Sequence, residues 1–213
     1  TLTGIVQADT VVLAGSAIGI IRPKGRLIRA DVRAGDVIVL LESSGIHANG
    51  LTLARAIADQ APDGYLTPLR DGRTYGESLL DPTHVYVGLI EDCLDRGIEI
   101  HYAVNITGHG WRKLMRAPGS FAYVIDSVPP PQPVFEFMQA HGHIDDREAY
   151  GNFNMGAGFA IYVPERDVNA VLDIARAFPF KALEAGHIEE SDTKRVVIAP
   201  KGLEYAGETL AVR

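Results

Sequence analysis

The sequence holds one cysteine, Cys93, in 213 residues. No disulfide can form within the chain, and its thiol content is consistent with a cytosolic setting. No apolar run approaches the roughly 18 residues needed to cross a bilayer, and nothing at the start reads as a signal peptide. Basic residues are few and scattered, and the formal net charge is −7. Without a clustered run of lysine and arginine there is no footprint for a phosphate backbone, so nucleic acid is not expected as a partner. Two catalytic signatures are also missing, the GxxxxGK[ST] phosphate loop and the GxSxG nucleophile elbow. His141 and His143 flank Gly142 with no third ligand at diagnostic spacing, so no metal site is expected there.

What is present describes a globular chain, 46% hydrophobic and 22% charged, long enough for one large domain or two small ones. Residues 10–21, TVVLAGSAIGII, are β-branched and apolar and read as a buried strand, which would need a neighbour to pair with. RPKGRLIRADVRAGD reads as a crossing between two structural units. DVIVLL, from Asp36 to Leu41, is a continuous apolar run of the kind buried on both faces of a sheet. From Leu51 the apolar spacing turns helical. A loose stretch rich in glycine and proline follows, and then a broadly buried helix is expected with Asp81 as cap, Pro82 in the first turn, Val85, Leu89 and Cys93 on one stripe, Tyr86, Ile90 and Leu94 on another, and Gly97 as its stop. Further strands are expected over 98–106, over FAYVID and GAGFAIYVP, and near KALEAGHI and KRVVIAP. SVPPPQP blocks helix and interior sheet alike, and short helices are expected after it, the second opened by Asp145 with Glu148 three residues on. ERDVNAVLDIARAF reads as an amphipathic helix. Strands and helices alternate irregularly, which favours a mixed β-sheet flanked by helices, an α+β fold of α/β-sandwich type.

Three polar, glycine-bearing loops sit at the ends of these elements. The first, residues 43–50, runs from a strand into a helix, where unpaired amides and the positive dipole end suit a phosphate or carboxylate. Ser43, Ser44 and Asn49 add side-chain hydrogen bonds there, and His47 is expected to titrate near neutral pH. Spacing alone favours the plainer alternative, in which Asn49 caps the helix and the serines make a turn. The second loop, NITGHG, covers residues 105–110, and its glycines allow close approach of a ligand or simply a tight turn. The third, NFNMGAG, covers 152–158 and enters a strand, where glycines often mark a bulge. Loops of this kind can converge on one face.

These segments together resemble a known family. GDVIVLLESSGIHANGLTLAR is similar to the GDVLI and SSGxHSNGxSLxR segments of the phosphoribosylformylglycinamidine cyclo-ligases, also called aminoimidazole ribonucleotide synthetases. LLDPTHVYV resembles their LLxPTxIYV, ITGHG their ITGGG, and YGNFNMGAGFAIYVP their YxxFNxGxGMxxxxP, in the family's order over residues 11–199. The resemblance implies that residues 1–31 are the remnant of an N-terminal ATP-binding domain and its linker, and that 32–213 form the C-terminal domain. The absent half would carry most of the ATP and Mg2+ site and the dimer barrel. The implied reaction closes formylglycinamidine ribonucleotide to aminoimidazole ribonucleotide, activating the formamide oxygen as a phosphate before intramolecular amine attack. The implied partners are a phosphorylated small-molecule substrate, the N-terminal domain and a second subunit of a cytoplasmic homodimer, and the chain is expected to be inactive alone.

Carried onto this sequence, the resemblance implies catalytic positions at His47, Asn105 and His109. Substrate or phosphate contacts are implied at Ser43, Ser44, Gly45, Asn49, Gly50, Thr107, Gly108, Gly110, Asn154 and Gly156. Two positions depart from the pattern. Asn105 stands where the family usually has histidine, and His109 replaces a glycine. An amide cannot shuttle a proton as imidazole does. The alternatives are that His109 takes the role, that the chain is a paralogue activating another substrate with ATP, or that it is a non-catalytic nucleotide-binding module.

Overall fold

The computed structural model describes residues 14–210. Its centre is β1 (Val37–Glu42), whose side chains alternate between two cores. Val37, Val39 and Leu41 enter one, and Ile38 and Leu40 the other. A strand buried on both faces has no solvent side on which to place polar residues, which is why this run is continuously apolar. β4 (Ala157–Val163) is divided in the same way, with Ile161 and Val163 on one face and Ala160 and Tyr162 on the other.

Five further strands complete the sheet: β2 (Tyr102–Asn105), β3 (Phe121–Ile125), β5 (Ala182–Glu190), β6 (Arg195–Ile198) and β7 (Leu203–Ala206). The order is β2-β4-β1-β5-β3-β6-β7. Every neighbouring pair is antiparallel except β3 and β6, which are parallel, so the sheet is mixed. Helices cover both faces. The buried stripes of α3 (Val87–Asp95) and α6 (Val168–Ala175) share the core of Val39 and Leu41. On the other side lie α1 (Leu51–Gln60), α2 (Tyr75–Leu79), α4 (Pro133–Gly142) and α5 (Asp146–Asn152), with the 3-10 stretch Gly110–Arg116 carrying the buried Trp111 and Leu114. The expected mixed sheet flanked by helices is the fold observed. No helix among the described residues is long and apolar enough to cross a membrane.

One feature of the topology places the loops. β4 runs antiparallel to both β1 and β2. The C-terminal ends of β1 and β2 and the N-terminal end of β4 therefore lie at one end of the sheet. At the opposite end the buried His101 brings Nδ1 within 2.8 and 2.9 Å of the two Asp36 carboxylate oxygens. Asp36 also accepts from the Arg33 amide at 2.9 Å, which ties the approach to β1 against the approach to β2.

Several expectations are corrected. Of the strand expected over 10–21, residues 10–13 lie outside the described part, and 14–21 form no strand and are exposed. Ile18, Ile20 and Ile21 face solvent, since a β-branched run gains a ladder only where a partner strand lies alongside. Asp81 does not cap a helix. Both of its oxygens accept from Arg73, at 2.7 and 2.8 Å, and α3 starts later with Tyr86 at its N-cap and no side-chain cap. Leu89 and Cys93 are buried as expected, while Val85 and Val87 are exposed. Gly97, at φ 75, stands just beyond that helix. The strand expected over 98–106 is confined to Tyr102–Asn105. Asp145 caps α5, accepting from the Glu148 amide at 2.7 Å. Neither α2 nor β7 is anticipated by the sequence reading.

Candidate functional site

The three loops meet at the end of the sheet where β1 and β2 finish and β4 begins. The Ser43 amide donates to the Gly156 carbonyl at 2.9 Å, and Asn49 Nδ2 donates to the Asn152 carbonyl at 3.1 Å. The second loop joins them, because the Ile106 amide donates to Gly158 O at 2.9 Å and the Trp111 indole to Asn154 O at 2.8 Å.

Asn154 is fully buried and is the knot of this arrangement. Its Oδ1 accepts from Ser43 Oγ at 2.9 Å and from the Gly156 amide at 3.0 Å. Its Nδ2 donates to the carbonyls of Gly45, at 2.8 Å, and Ile46, at 3.3 Å. Both ends of the amide are thereby spent on backbone and side chains of the loops. Ser43 is buried as well, and Gln132 Nε2 donates to its carbonyl. The structure thus places Ser43, Asn154 and Gly156 behind the wall rather than on it. Ser44 Oγ donates to Pro82 O at 2.6 Å, fixing the first loop to the segment that leads into α3.

Two glycines here are required by space. A Cβ on Gly50, which has φ 83, would lie 2.4 Å from the Phe153 ring, so Gly50 rather than Asn49 forms the N-cap of α1, without any side-chain cap. A Cβ on Gly110, at φ 51, would lie 2.2 Å from the Tyr150 carbonyl, which packs the second loop against α5. Gly45 has φ 154 and its carbonyl serves Asn154. Nothing lies within 4 Å of a Cβ built on Gly108, so this part of the loop faces open space.

The wall itself is a cavity of about 500 Å³ whose lining includes His47, His84, Tyr86, Asn105, Thr107 and Phe159. Of the candidate residues, the structure brings His47, Asn105 and Thr107 into this one hollow. His109 is not among its lining residues. It sits in the left-handed region at φ 78, with ring Nδ1 donating to Gly108 O at 3.0 Å. Tyr86 stacks on Phe159 with ring centroids 5.1 Å apart and donates its hydroxyl to Glu42 O at 2.8 Å. Gly158 completes the floor, where a Cβ would lie 2.1 Å from Tyr86 Oη and 2.5 Å from His47 Cε1. The sequence places Tyr86 on a core stripe and marks no role for His84. A tyrosine at helical spacing carries no mark that distinguishes a cavity wall from a core.

The His47 imidazole departs from the expectation of titration near neutral pH. The Ser44 amide donates to Nε2 at 3.1 Å, so that nitrogen carries no proton. Burial, and then the neighbouring His84, hold the pKa down to about 4. At neutral pH the ring is an uncharged donor through Nδ1 rather than a proton shuttle. The unfolded chain takes up this proton near pH 6.5, whereas the folded chain resists until about pH 4. Between those values the unfolded state binds more protons. Stability present above pH 6.5 is therefore lost as pH falls toward 4, by about 1 to 3 kcal/mol from this group. Urea unfolding at pH 7 and pH 4.5 is expected to show a smaller loss in His47→Gln than in the unsubstituted chain. Equal losses would mean that His47 is protonated normally in the fold.

A magnesium nucleotide finds no fit among these groups. The cavity lining includes one carboxylate, the exposed Glu91, and the surface it presents is mostly apolar. No group of three His, Cys, Asp or Glu residues is placed to hold a metal ion among the described residues.

Residues 33–199 match the family described as AIR synthase related protein, C-terminal domain. The chain belongs to that family. Phosphoribosylformylglycinamidine cyclo-ligase from Methanocaldococcus jannaschii is 41% identical to this AIR synthase related chain over 181 residues, covering 84% of the chain and 52% of the relative. The protein of the same name from Methanopyrus kandleri is 42% identical over 160 residues, covering 75% and 46%. The chain spans about half the length of the curated relatives it matches. Among solved structures, phosphoribosylformylglycinamidine synthase II from Thermotoga maritima aligns over 88% of this chain and 28% of its own, with TM-score 0.55 and 15% identity. The E. coli hydrogenase maturation protein HypE aligns over 83% and 50%, with TM-score 0.52 and 19% identity. At such identities the likeness is one of fold. It places the AIR synthase related domain among architectures built on the same mixed sheet.

Proposed function

We propose that the chain is the C-terminal part of an ATP-dependent cyclo-ligase converting formylglycinamidine ribonucleotide to aminoimidazole ribonucleotide in purine biosynthesis. The observation that carries this reading is the cavity shared by His47, Asn105 and Thr107, walled by the same segments that carry the family's motifs. Residues 32–213 form the C-terminal domain, and 1–31 are the remnant and linker of an N-terminal domain. That other half binds ATP and Mg2+, in keeping with the poor fit of a metal nucleotide here, and pairs the full-length protein as a cytoplasmic homodimer. Thermotoga maritima structures with ATP and with FGAR bound support a phosphorylated substrate and a nucleotide for proteins of this fold.

In this role the chain binds and orients rather than completes the reaction. The neutral His47 donates a hydrogen bond from Nδ1 to the substrate, Asn105 offers its amide, and the loop amides near Thr107 receive phosphate. Preorganised donors of this kind stabilise growing negative charge. Asn49, whose Nδ2 is spent on the Asn152 carbonyl, lies outside the cavity lining and braces the loops rather than meeting the ligand. The chain alone is expected to release no ADP above background when supplied with ATP, Mg2+ and formylglycinamidine ribonucleotide, while the full-length protein turns over. Turnover by the isolated chain would overturn the division of labour.

Asn105 favours a second reading, because an exposed amide at the edge of the cavity cannot relay a proton. On that reading the full-length protein activates a different substrate with ATP. Its failure to complement a purine auxotroph would decide for this alternative.

A further inference from the structure

A lysine that no motif assigns faces the same loop. Lys113 lies on the 3-10 stretch Gly110–Arg116, is partly buried, and donates from Nζ to Thr107 Oγ1. Among the described residues it forms no ion pair with a carboxylate, and its charged neighbour is another cation, Arg116. Burial, and then Arg116, hold the Lys113 pKa below its ordinary value. A cation taken partly out of water beside a like charge is costly unless an anion completes it.

The groups around it point the same way. Because Thr107 Oγ1 accepts from the ammonium, its own O–H remains free to donate. The amides of Thr107, Gly108 and His109 have no acceptor among the described residues. Open space faces Gly108, and Thr107 lines the cavity with His47 and Asn105. An ammonium, a hydroxyl and successive backbone amides without acceptors, gathered on one loop beside open space, form a donor set for a tetrahedral oxyanion.

We infer that Lys113 supplies the counter-charge for a phosphate monoester held by the Thr107 hydroxyl and the amides of residues 107–109. The assignment deepens the preceding proposal and rests on it for the identity of the phosphate's owner. The bland rival is that Lys113 only props the Thr107 loop. A prop would be lost in stability measurements, whereas a counter-charge is lost in anion affinity and is restored by another cation.

The test uses the whole chain, labelled with nitrogen-15 and titrated with inorganic phosphate at constant ionic strength set with chloride. Saturable shifts are expected at the Thr107, Gly108 and His109 amides. Lys113→Met is expected to weaken phosphate binding by about tenfold, the scale of one charge-assisted hydrogen bond. Lys113→Arg is expected to restore it to within about threefold. Lys113→Gln gives the same comparison should the methionine variant fold poorly. Absence of shifts at these amides, or equal phosphate affinity in the neutral and cationic variants, overturns the inference. The two proposals fail separately. A full-length protein that does not convert formylglycinamidine ribonucleotide, in a chain whose phosphate affinity still depends on Lys113, removes the substrate and leaves the anion site. Turnover with affinity indifferent to Lys113 does the reverse.

Discussion

Asn154→Leu is expected to lower the thermal midpoint by about 6 to 20 °C. The substitution is close in size, so the effect comes from polar groups left behind rather than from a void. Removing the amide strips a partner from Ser43 Oγ, the Gly156 amide and the carbonyls of Gly45 and Ile46. Each buried group left unpaired costs about 1 to 3 kcal/mol. Relaxation and entering water recover part of this, which leaves a net loss of about 3 to 5 kcal/mol. At this chain length each kcal/mol corresponds to about 2 to 4 °C. Calorimetry provides the midpoint, and amide exchange provides the location. The variant should exchange fastest through residues 43–50, while β3 and β6 keep their protection. A midpoint within about 2 °C of the unsubstituted chain would mean that the first loop is held by something other than Asn154.

Gly186→Ala is the second large effect, and its cause is purely steric. Gly186 lies in β5, opposite Ile38 of β1 and Ile125 of β3. A Cβ there would sit 1.9 Å from the Val124 carbonyl oxygen and 2.9 Å from Ile125 Cα. Both obstacles are backbone, so no rotamer change relieves them, and β3 must move away from β5. Overpacking of a well-filled interior costs about 1 to 3 kcal/mol and more where backbone must shift, so a loss of at least about 3 kcal/mol is expected. Gly202→Ala is the control, since nothing lies within 4 Å of a Cβ at that position. Its φ of 61 leaves only the cost of a left-handed conformation, about 1 kcal/mol. Urea midpoints distinguish the two, and a Gly186→Ala chain as stable as the Gly202→Ala chain would refute the steric account.

Much of this architecture is written in local pattern. β1 is legible because a strand enclosed on both faces can carry only apolar letters, and α1 because Ala54, Ile57 and Ala58 repeat at helical spacing and are buried. The start of α3 is not, because Asp81 and Pro82 spell a helix opening that Arg73 overrides by drawing the carboxylate into a two-armed ion pair. That competition depends on where a residue eight positions earlier lands in space. α2 did carry a readable signal in Thr74 and Glu77, which form a complete capping box, but it is hidden among glycine and proline. β7 is only four residues long, too short for its alternation to stand out.

The site divides similarly. Glycine and polar letters identify which loops matter, because tight turns and open amides need those residue types. They do not say which way a side chain points. Asn49, Asn105 and Asn154 are the same letter, yet one reaches between loops, one edges the cavity and one is sealed inside. Nor does sequence show that His47 is dry enough to remain uncharged, since burial is set by Tyr86, Phe159 and their neighbours, gathered from distant parts of the chain.

The antiparallel placement of β4 between β1 and β2 also has a practical corollary. The turn at 191–193 joins β5 to β6 at the far end of the sheet, with Asp192 and Thr193 exposed. A fluorophore or surface tether attached through Asp192→Cys would stand a whole strand length from the cavity. The buried Cys93 thiol, raised by burial to about 11, would stay largely unreactive during maleimide labelling. Ligand encounters could then be followed on an immobilised chain with its cavity turned outward.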